Sequence, residues 1–134
     1  MNVRELVHAF YGRLWNEIDL GVADEILSSD VTFRGSVGTG ANGRDQVRDY
    51  VLMITSALSQ YRCDIERLVV EGDQASAKVR FSGLHTGTFL GFAPTGRRVE
   101  WDGVAMFTER QGKLEDIWVL GDVDRLRAQL GGNV

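Results

Sequence analysis

Ala75-Ser76-Ala77-Lys78-Val79-Arg80-Phe81-Ser82-Gly83-Leu84-His85-Thr86-Gly87 alternates small or apolar residues with polar ones. A strand turns successive side chains to opposite faces, so Val79, Phe81, Gly83 and His85 share one face and Lys78, Arg80 and Ser82 the other. The stretch from Arg98 to Thr108 repeats the pattern, gathering Val99, Trp101, Gly103, Ala105 and Phe107. Strand patterns also cover Cys63 to Val70 and Leu114 to Leu120. Glu71-Gly72-Asp73-Gln74 and Gln111-Gly112-Lys113 supply tight turns, and a loop centred on Gly91 to Gly96 joins the two long strands. These segments predict a run of antiparallel strands.

Working back from that run, the period becomes helical. Leu6, Val7, Phe10, Leu14 and Ile18 make one apolar face, which Tyr11 and Trp15 widen. Val22, Ala23, Ile26 and Leu27 mark a short second helix, and Val47, Val51, Ile54 and Leu58 a third. Val31-Thr32-Phe33 is a short strand, and the small residues from Gly35 to Gly43 predict an exposed loop. Asp122 to Leu130 reads as a closing helix. Helices followed by antiparallel strands give an α+β fold in one domain, residues 1–134. Gly83, Gly87, Gly91 and Gly103 fit a strongly curved sheet. Three N-terminal helices packed on such a sheet would enclose an apolar cavity.

Composition narrows the function. The 134 residues are one domain's worth of chain, 43% hydrophobic and 25% charged, as in ordinary globular proteins. Fifteen basic against nineteen acidic side chains give a net charge of −4, which argues against nucleic acid as a partner, since phosphate binding needs clustered Lys and Arg. Cys63 is the only cysteine, so neither an internal disulfide nor a Cys-rich zinc site is expected. No apolar run reaches the ~18–20 residues that span a bilayer. The first residues lack a signal peptide's apolar core, which makes the cytoplasm the expected location. His8 and His85 fall on different elements, and no H-x-x-x-H, C-x-x-C or Walker pattern occurs. No metal and no cofactor is expected.

The candidate chemistry rests on ionisable groups among apolar neighbours. Strict alternation in the last strand puts Leu114, Asp116, Trp118 and Leu120 on one face, with Asp122 joining if the strand continues. A carboxylate among Trp and Leu has its charged form desolvated, which suits general acid–base work. Asp122 has a second reading, as the N-cap of the closing helix. His85, beside Val79 and Phe81, is either a hydrogen-bonded core residue or a catalytic one. Tyr11 and Trp15 suit core packing or substrate contact. Arg34 ends its short strand beside the glycine-rich loop, either as a surface charge or with its forked donors on a ligand oxygen.

Three segments carry a resemblance: Phe10-Tyr11-Gly12-Arg13-Leu14-Trp15-Asn16, the run from His85-Thr86-Gly87-Thr88-Phe89 through Pro94-Thr95-Gly96 to Val99, and Gly112-Lys113-Leu114-Glu115-Asp116-Ile117-Trp118. Together they resemble the SnoaL-like polyketide cyclase family. The resemblance implies the NTF2-like cone-shaped barrel, a curved antiparallel sheet around a deep apolar cavity, and a homodimer. It also implies a cofactor-independent intramolecular aldol cyclisation of a polyketide-like carbonyl compound, with an Asp moving the proton. The chain departs from the family where many members carry His and this one has Arg34. It also reads Asp116-Ile117-Trp118-Val119 where many read Glu-His-Trp-Asp. Asp122 matches a frequent family carboxylate.

The expected activity is therefore a cyclase or isomerase. Asp122 would be the acid–base, with Asp116 the alternative carboxylate and His85 its partner or the carbonyl's. Tyr11, Trp15, Arg34, Phe81, Trp101, Phe107 and Trp118 would contact an apolar small-molecule substrate. Two alternatives stand beside it: epoxide hydrolysis by a carboxylate–arginine–carboxylate set, and binding without catalysis.

Overall fold

The long alternating stretches pair with each other along their whole length. In the computed structural model, which describes residues 1–132, strand β4 (Gln74–His85) runs antiparallel to β5 (Arg98–Arg110) from Gln74 opposite Thr108 to Leu84 opposite Arg98. That register stacks Phe81 on Trp101 and Ala75 on Phe107 across one buried face. On β4's other side lies β3 (Leu58–Glu71), and on β5's other side β6 (Lys113–Gly121). β1 (Leu27–Arg34) joins β6 in parallel, and the three-residue β2 (Gly40–Asn42) closes the order β2-β1-β6-β5-β4-β3. The six-stranded sheet is therefore mixed, where the alternation alone predicts an antiparallel one. The parallel junction joins distant parts of the chain, which local periodicity does not report.

Extra residues bend the sheet. In β3, the step from Ser59 to Arg62 faces the shorter step from Leu84 to Ser82, and Gln60 in that bulge has φ +55. Gly83 sits opposite, where a Cβ would press on Leu58 and on the β3 backbone. A second bulge lies between Ile65 and Arg67, and a third where Thr108 and Glu109 face Asp116 and Leu114.

That third bulge corrects the reading of the last strand. Glu115 is the extra residue, so alternation changes phase there. Leu114, Ile117 and Val119 are buried, while Trp118 and Leu120 stand on the opposite face, 39% and 53% exposed. Trp118 is thus no wall of the interior, and Asp116 does not face the core.

Helices cover the buried face. α1 (Val3–Ala9) starts with a capping box: Asn2 Oδ1 accepts from Glu5 N at 2.9 Å, and Glu5 Oε1 accepts from Asn2 N at 3.0 Å. It continues as a π-helical turn, Phe10–Trp15, in which Asn16 N donates to Tyr11 O at 2.9 Å. The wider turn buries Phe10, Tyr11, Leu14 and Trp15 together, more than one α-helical stripe accommodates. A 3-10 turn (Leu20–Val22) and the one-turn α2 (Ala23–Ile26) lead into β1. α3 (Gly43–Ala57) buries Val47, Tyr50, Val51 and Ile54 at helical spacing. α4 (Val123–Leu130) closes the described chain, fixed by Gln129, whose amide bonds both the N–H and the C=O of Glu100. No helix of the described residues is long and apolar enough to cross a membrane.

Candidate functional site

The interior between helices and sheet is aromatic. Phe10, Tyr11, Trp15, Phe33, Tyr50, Tyr61 and Phe81, with Ser36 and Val119, surround a void of about 10 Å³, room for one water. The deep cavity expected from the sequence is thus filled by rings. Tyr61 stacks parallel to Phe81 with centroids 6.5 Å apart, Phe81 lies 5.3 Å from Trp101, and Trp15 meets Tyr50 edge-on at 5.7 Å.

Polar atoms within this interior lack partners. The Tyr11 hydroxyl and Nε1 of Trp101 are buried with no hydrogen bond, while the Tyr50 hydroxyl is held against Ser36 and Val37. An unpaired buried donor costs about 1–3 kcal/mol, so two of them mark a place built for something besides stability. Burial pushes the Tyr11 and Tyr61 phenols well above their ordinary value, with Cys63 and Tyr50 nearby adding to the effect. Burial likewise pushes Tyr50 up to about 12, and raises the Cys63 thiol. At neutral pH all four are protonated: the interior offers O–H and N–H donors and no group ready to take a proton.

Directly outside lies a hollow of about 320 Å³ lined by Arg34, Ser36, Val37, Leu120, Asp122 and Asp124. Ser36 lines both spaces. The segment expected as an exposed loop is partly folded in here: Gly35, Ser36 and Ala41 are buried, and Gly38 to Gly40 and Asn42 are exposed. Tyr50 packs so closely on Gly35 that a Cβ there would overlap its hydroxyl, and Gly121 likewise has room for no Cβ beside the Ser36 carbonyl. Arg34 donates to the Val119 carbonyl, and its guanidinium lies 5.3 Å from the Trp118 ring centroid.

The sequence candidates separate into three groups. Tyr11, Trp15 and Phe81 line the void, and Trp101 and Phe107 are buried around it, the first tilted against Phe81 and the second edge-on to Tyr11. Arg34 and Asp122 meet at the outer hollow. There Asp122 is exposed and caps α4, accepting from Arg125 N at 3.2 Å. His85 and Asp116 lie elsewhere. His85 is fully buried at the end of β4, where its Nδ1 accepts the Thr95 N–H at 3.3 Å; this leaves the proton on Nε2, which has no partner. Asp116, on the outer face, accepts a hydrogen bond from the Thr32 hydroxyl.

Three interior residues escape the sequence reading. Tyr50 shares the helical spacing of Val47, Val51 and Ile54, and that signal suffices to find it. Tyr61 is turned inward by the Gln60 bulge, and Ser36 by the fold of its turn; neither leaves a local pattern.

The fold is widely shared. A protein from Catenulispora acidiphila described as having a ketosteroid isomerase-like fold, in complex with trimethylamine, superposes with a TM-score of 0.81 at 14% identity, over 98% of this chain and 95% of that one. TsrD from Streptomyces laurentii gives 0.85 at 27% identity, over 98% and 96%. A protein from Jannaschia sp. CCS1, provisionally described as a SnoaL-like polyketide cyclase, gives 0.86 at 20% identity, over 95% and 90%. Among curated proteins none matches the sequence. These neighbours share with this chain a curved-sheet α+β fold, described for one of them as ketosteroid isomerase-like. The sequence itself matches the profile of the SnoaL-like polyketide cyclases over residues 5–130, and the chain belongs to that family.

Proposed function

We propose that the protein is a cofactor-independent cyclase acting on an apolar, polyketide-like carbonyl compound, with an NTF2-like cone of sheet and helices as its chamber. The observation that carries this reading is the two unpaired donors, Tyr11 Oη and Trp101 Nε1, in an interior otherwise made of rings. A carbonyl oxygen accepts from such donors, and the bonds strengthen as negative charge moves onto it in an enolate. The raised phenol pKa keeps the proton on Tyr11 throughout.

The proton acceptor then has to come from outside the rings, and Asp122 stands at the adjoining hollow. Its carboxylate takes the proton from the carbon between two carbonyls. The carbanion, delocalised onto oxygen, attacks a further carbonyl carbon, distant along the same molecule, and the alkoxide so formed takes the proton back from the Asp122 carboxyl. His85, buried at the end of β4, and Asp116, bonded to Thr32 on the outer face, line neither the void nor the hollow, so neither has a part in this step. Asp122→Asn tests the assignment: turnover of a polyketide-like diketone ester falls at least a hundredfold with unchanged thermal melting, while Asp116→Asn keeps it. Full turnover in Asp122→Asn removes Asp122 from the mechanism.

The absence of any carboxylate among the void-lining residues favours a second reading, a binding protein without catalysis. Tight binding with no product from any ester or diketone tested would select it. Epoxide opening fares worse. None of the arginines that bridge two carboxylates (Arg13, Arg48, Arg80 and Arg125) lines the void; one such set is Asp102, Arg80 and Glu100, with Arg80 at 3.1 and 3.7 Å from the two acids. It lies on the outer face of the sheet. We further propose a cytoplasmic homodimer, joined through the outer apolar face of Val104, Met106, Trp118 and Leu120.

A further inference from the structure

One edge of the six-stranded sheet is β3, and its first half is covered from within the chain: the Asn16 side chain bonds the outward N–H and C=O of Cys63. Cys63 stands opposite Phe81, and outward-facing peptide groups alternate along an antiparallel ladder. The β4 positions that follow are Val79, Ala77 and Ala75. Their β3 partners, counted past the bulge at Glu66, are Ile65, Leu68 and Val70. Among the described residues nothing bonds the outward N–H and C=O of Leu68 and Val70. The same stretch carries charges without partners. Asp64 and Glu66 pair with Arg62 and Lys78, whereas Arg67 and Glu71, both exposed, have no ion pair among the described residues. Between them Val69 is 58% exposed, while Leu68 and Val70 pack partly against the core.

We propose that residues 67–71, Arg-Leu-Val-Val-Glu, are a pairing edge for a second copy of this chain, aligned antiparallel about Val69. In that register Val69 meets its own counterpart, Leu68 meets the counterpart of Val70, and Arg67 that of Glu71. Leu68 and Val70 both turn their peptide groups outward, so both N–H and both C=O groups of each copy gain partners. The unpaired charges become cross-strand ion pairs at the two ends. Sliding one copy by two residues sets Val69 against Arg67 or Glu71 instead. A second copy supplies the matching charge order by two-fold symmetry. The segment is also neutral, in a chain whose net charge of −4 makes its copies repel. Two such short segments bury far less than the ~1,200 Å² of a stable interface, so the contact is reversible and forms well above micromolar concentration. It is separate from the outer-face dimer and from any catalysis, and it joins monomers or dimers alike.

Sedimentation velocity and amide exchange, from about 20 μM to about 1 mM protein, test the pairing. The weight-average mass should rise by at least half over that range. The amides of Leu68 and Val70 should exchange at least twofold more slowly at the upper end, with the Val69 amide, which faces β4, unchanged. Val69→Lys sets like charges against each other at the two-fold axis and should weaken association at least tenfold. Val69→Glu should do the same, and an equimolar mixture of the two variants should associate again. Val70→Pro removes one outward N–H from the side of the sheet away from the outer-face dimer, and should also weaken association. Leu120→Lys, which tests that dimer, should leave the concentration-dependent rise in place. A mass constant up to 1 mM overturns the pairing. So does association that leaves the Leu68 and Val70 amides unprotected, or that Val69→Lys does not weaken.

Discussion

The side chain of Asn16 bonds to Cys63 as a neighbouring strand would. Its Nδ2 donates to the Cys63 carbonyl at 2.9 Å and its Oδ1 accepts the Cys63 N–H at 2.8 Å. β3 is an edge strand, and this pair ties it to the end of the π-helical turn that carries Tyr11 and Trp15. Asn16→Leu leaves both peptide groups without that partner and should lower unfolding free energy by about 2–3 kcal/mol. Urea denaturation measures it. Loss of less than half of that would show that water replaces the amide.

Alkaline pH should unfold the protein early. Tyr11, Tyr50, Tyr61 and Cys63 all have raised pKa values in the fold. The unfolded chain therefore releases protons first, from about pH 8.5 for Cys and 10 for Tyr. Stability is fully present below those values and falls as pH rises toward the folded values, about 12 for Tyr50. Urea midpoints should be level from pH 6 to 8 and drop steeply between pH 9 and 11. A level midpoint through pH 11 contradicts the buried cluster.

Tyr50→Phe and Tyr11→Phe separate function from fold. Tyr11→Phe removes a hydroxyl that has no partner, so stability should stay the same or rise by up to about 1 kcal/mol, whereas Tyr50→Phe also removes bonds to Ser36 and Val37 and should cost about 1 kcal/mol. Affinity for a polyketide-like carbonyl compound should fall about tenfold with Tyr11→Phe, the equivalent of one lost hydrogen bond of ~1.4 kcal/mol. Calorimetric titration of each variant gives the second number, and thermal melting checks the sign of the first.

Asp122 has a structural task alongside any chemical one. As N-cap of α4 it should cost about 1 kcal/mol when replaced by Ala, and far less when replaced by Asn, which caps equally well. Both variants should lose turnover. If Asn keeps turnover and Ala loses it, the carboxylate acts through the cap and not on substrate.

Leu120→Lys should give a monomer in sedimentation at micromolar concentration. Leu120 and its neighbours Val104 and Met106 are about half exposed on the outer face of the sheet. A charge placed among them has to be desolvated for the face to be covered. An unaltered dimer would move the interface to another surface.

Much of this architecture is legible in the chain and some of it is not. The alternation of β4 and β5 places Phe81, Trp101 and Phe107 inside, where they are. The same rule fails in β6 because one extra residue, Glu115, shifts the phase, so that Trp118 points out and Ile117 in. Periodicity likewise reads residues 6–18 as one helix, since a π-helical turn keeps the same residue types and changes only their angular spacing. Asp122 can be read as a cap from its position before Val123. Its meeting with Arg34 across the outer hollow depends on the β1–β6 pairing, which no local pattern reports.

That pairing sets a timetable for synthesis. β1 is complete by residue 34, yet the strand it needs on its long side, β6, ends at Gly121, and Leu27 waits for Leu114. Until then β1 has only the three residues of β2 beside it in the sheet. Closing so long a loop is slow relative to hairpin formation, and an exposed strand edge invites pairing with another chain. The nascent protein thus carries an open edge for most of its translation. Refolding should show the β3–β4–β5 hairpins gaining protection first and the amides of β1 last, together with the closure of the interior.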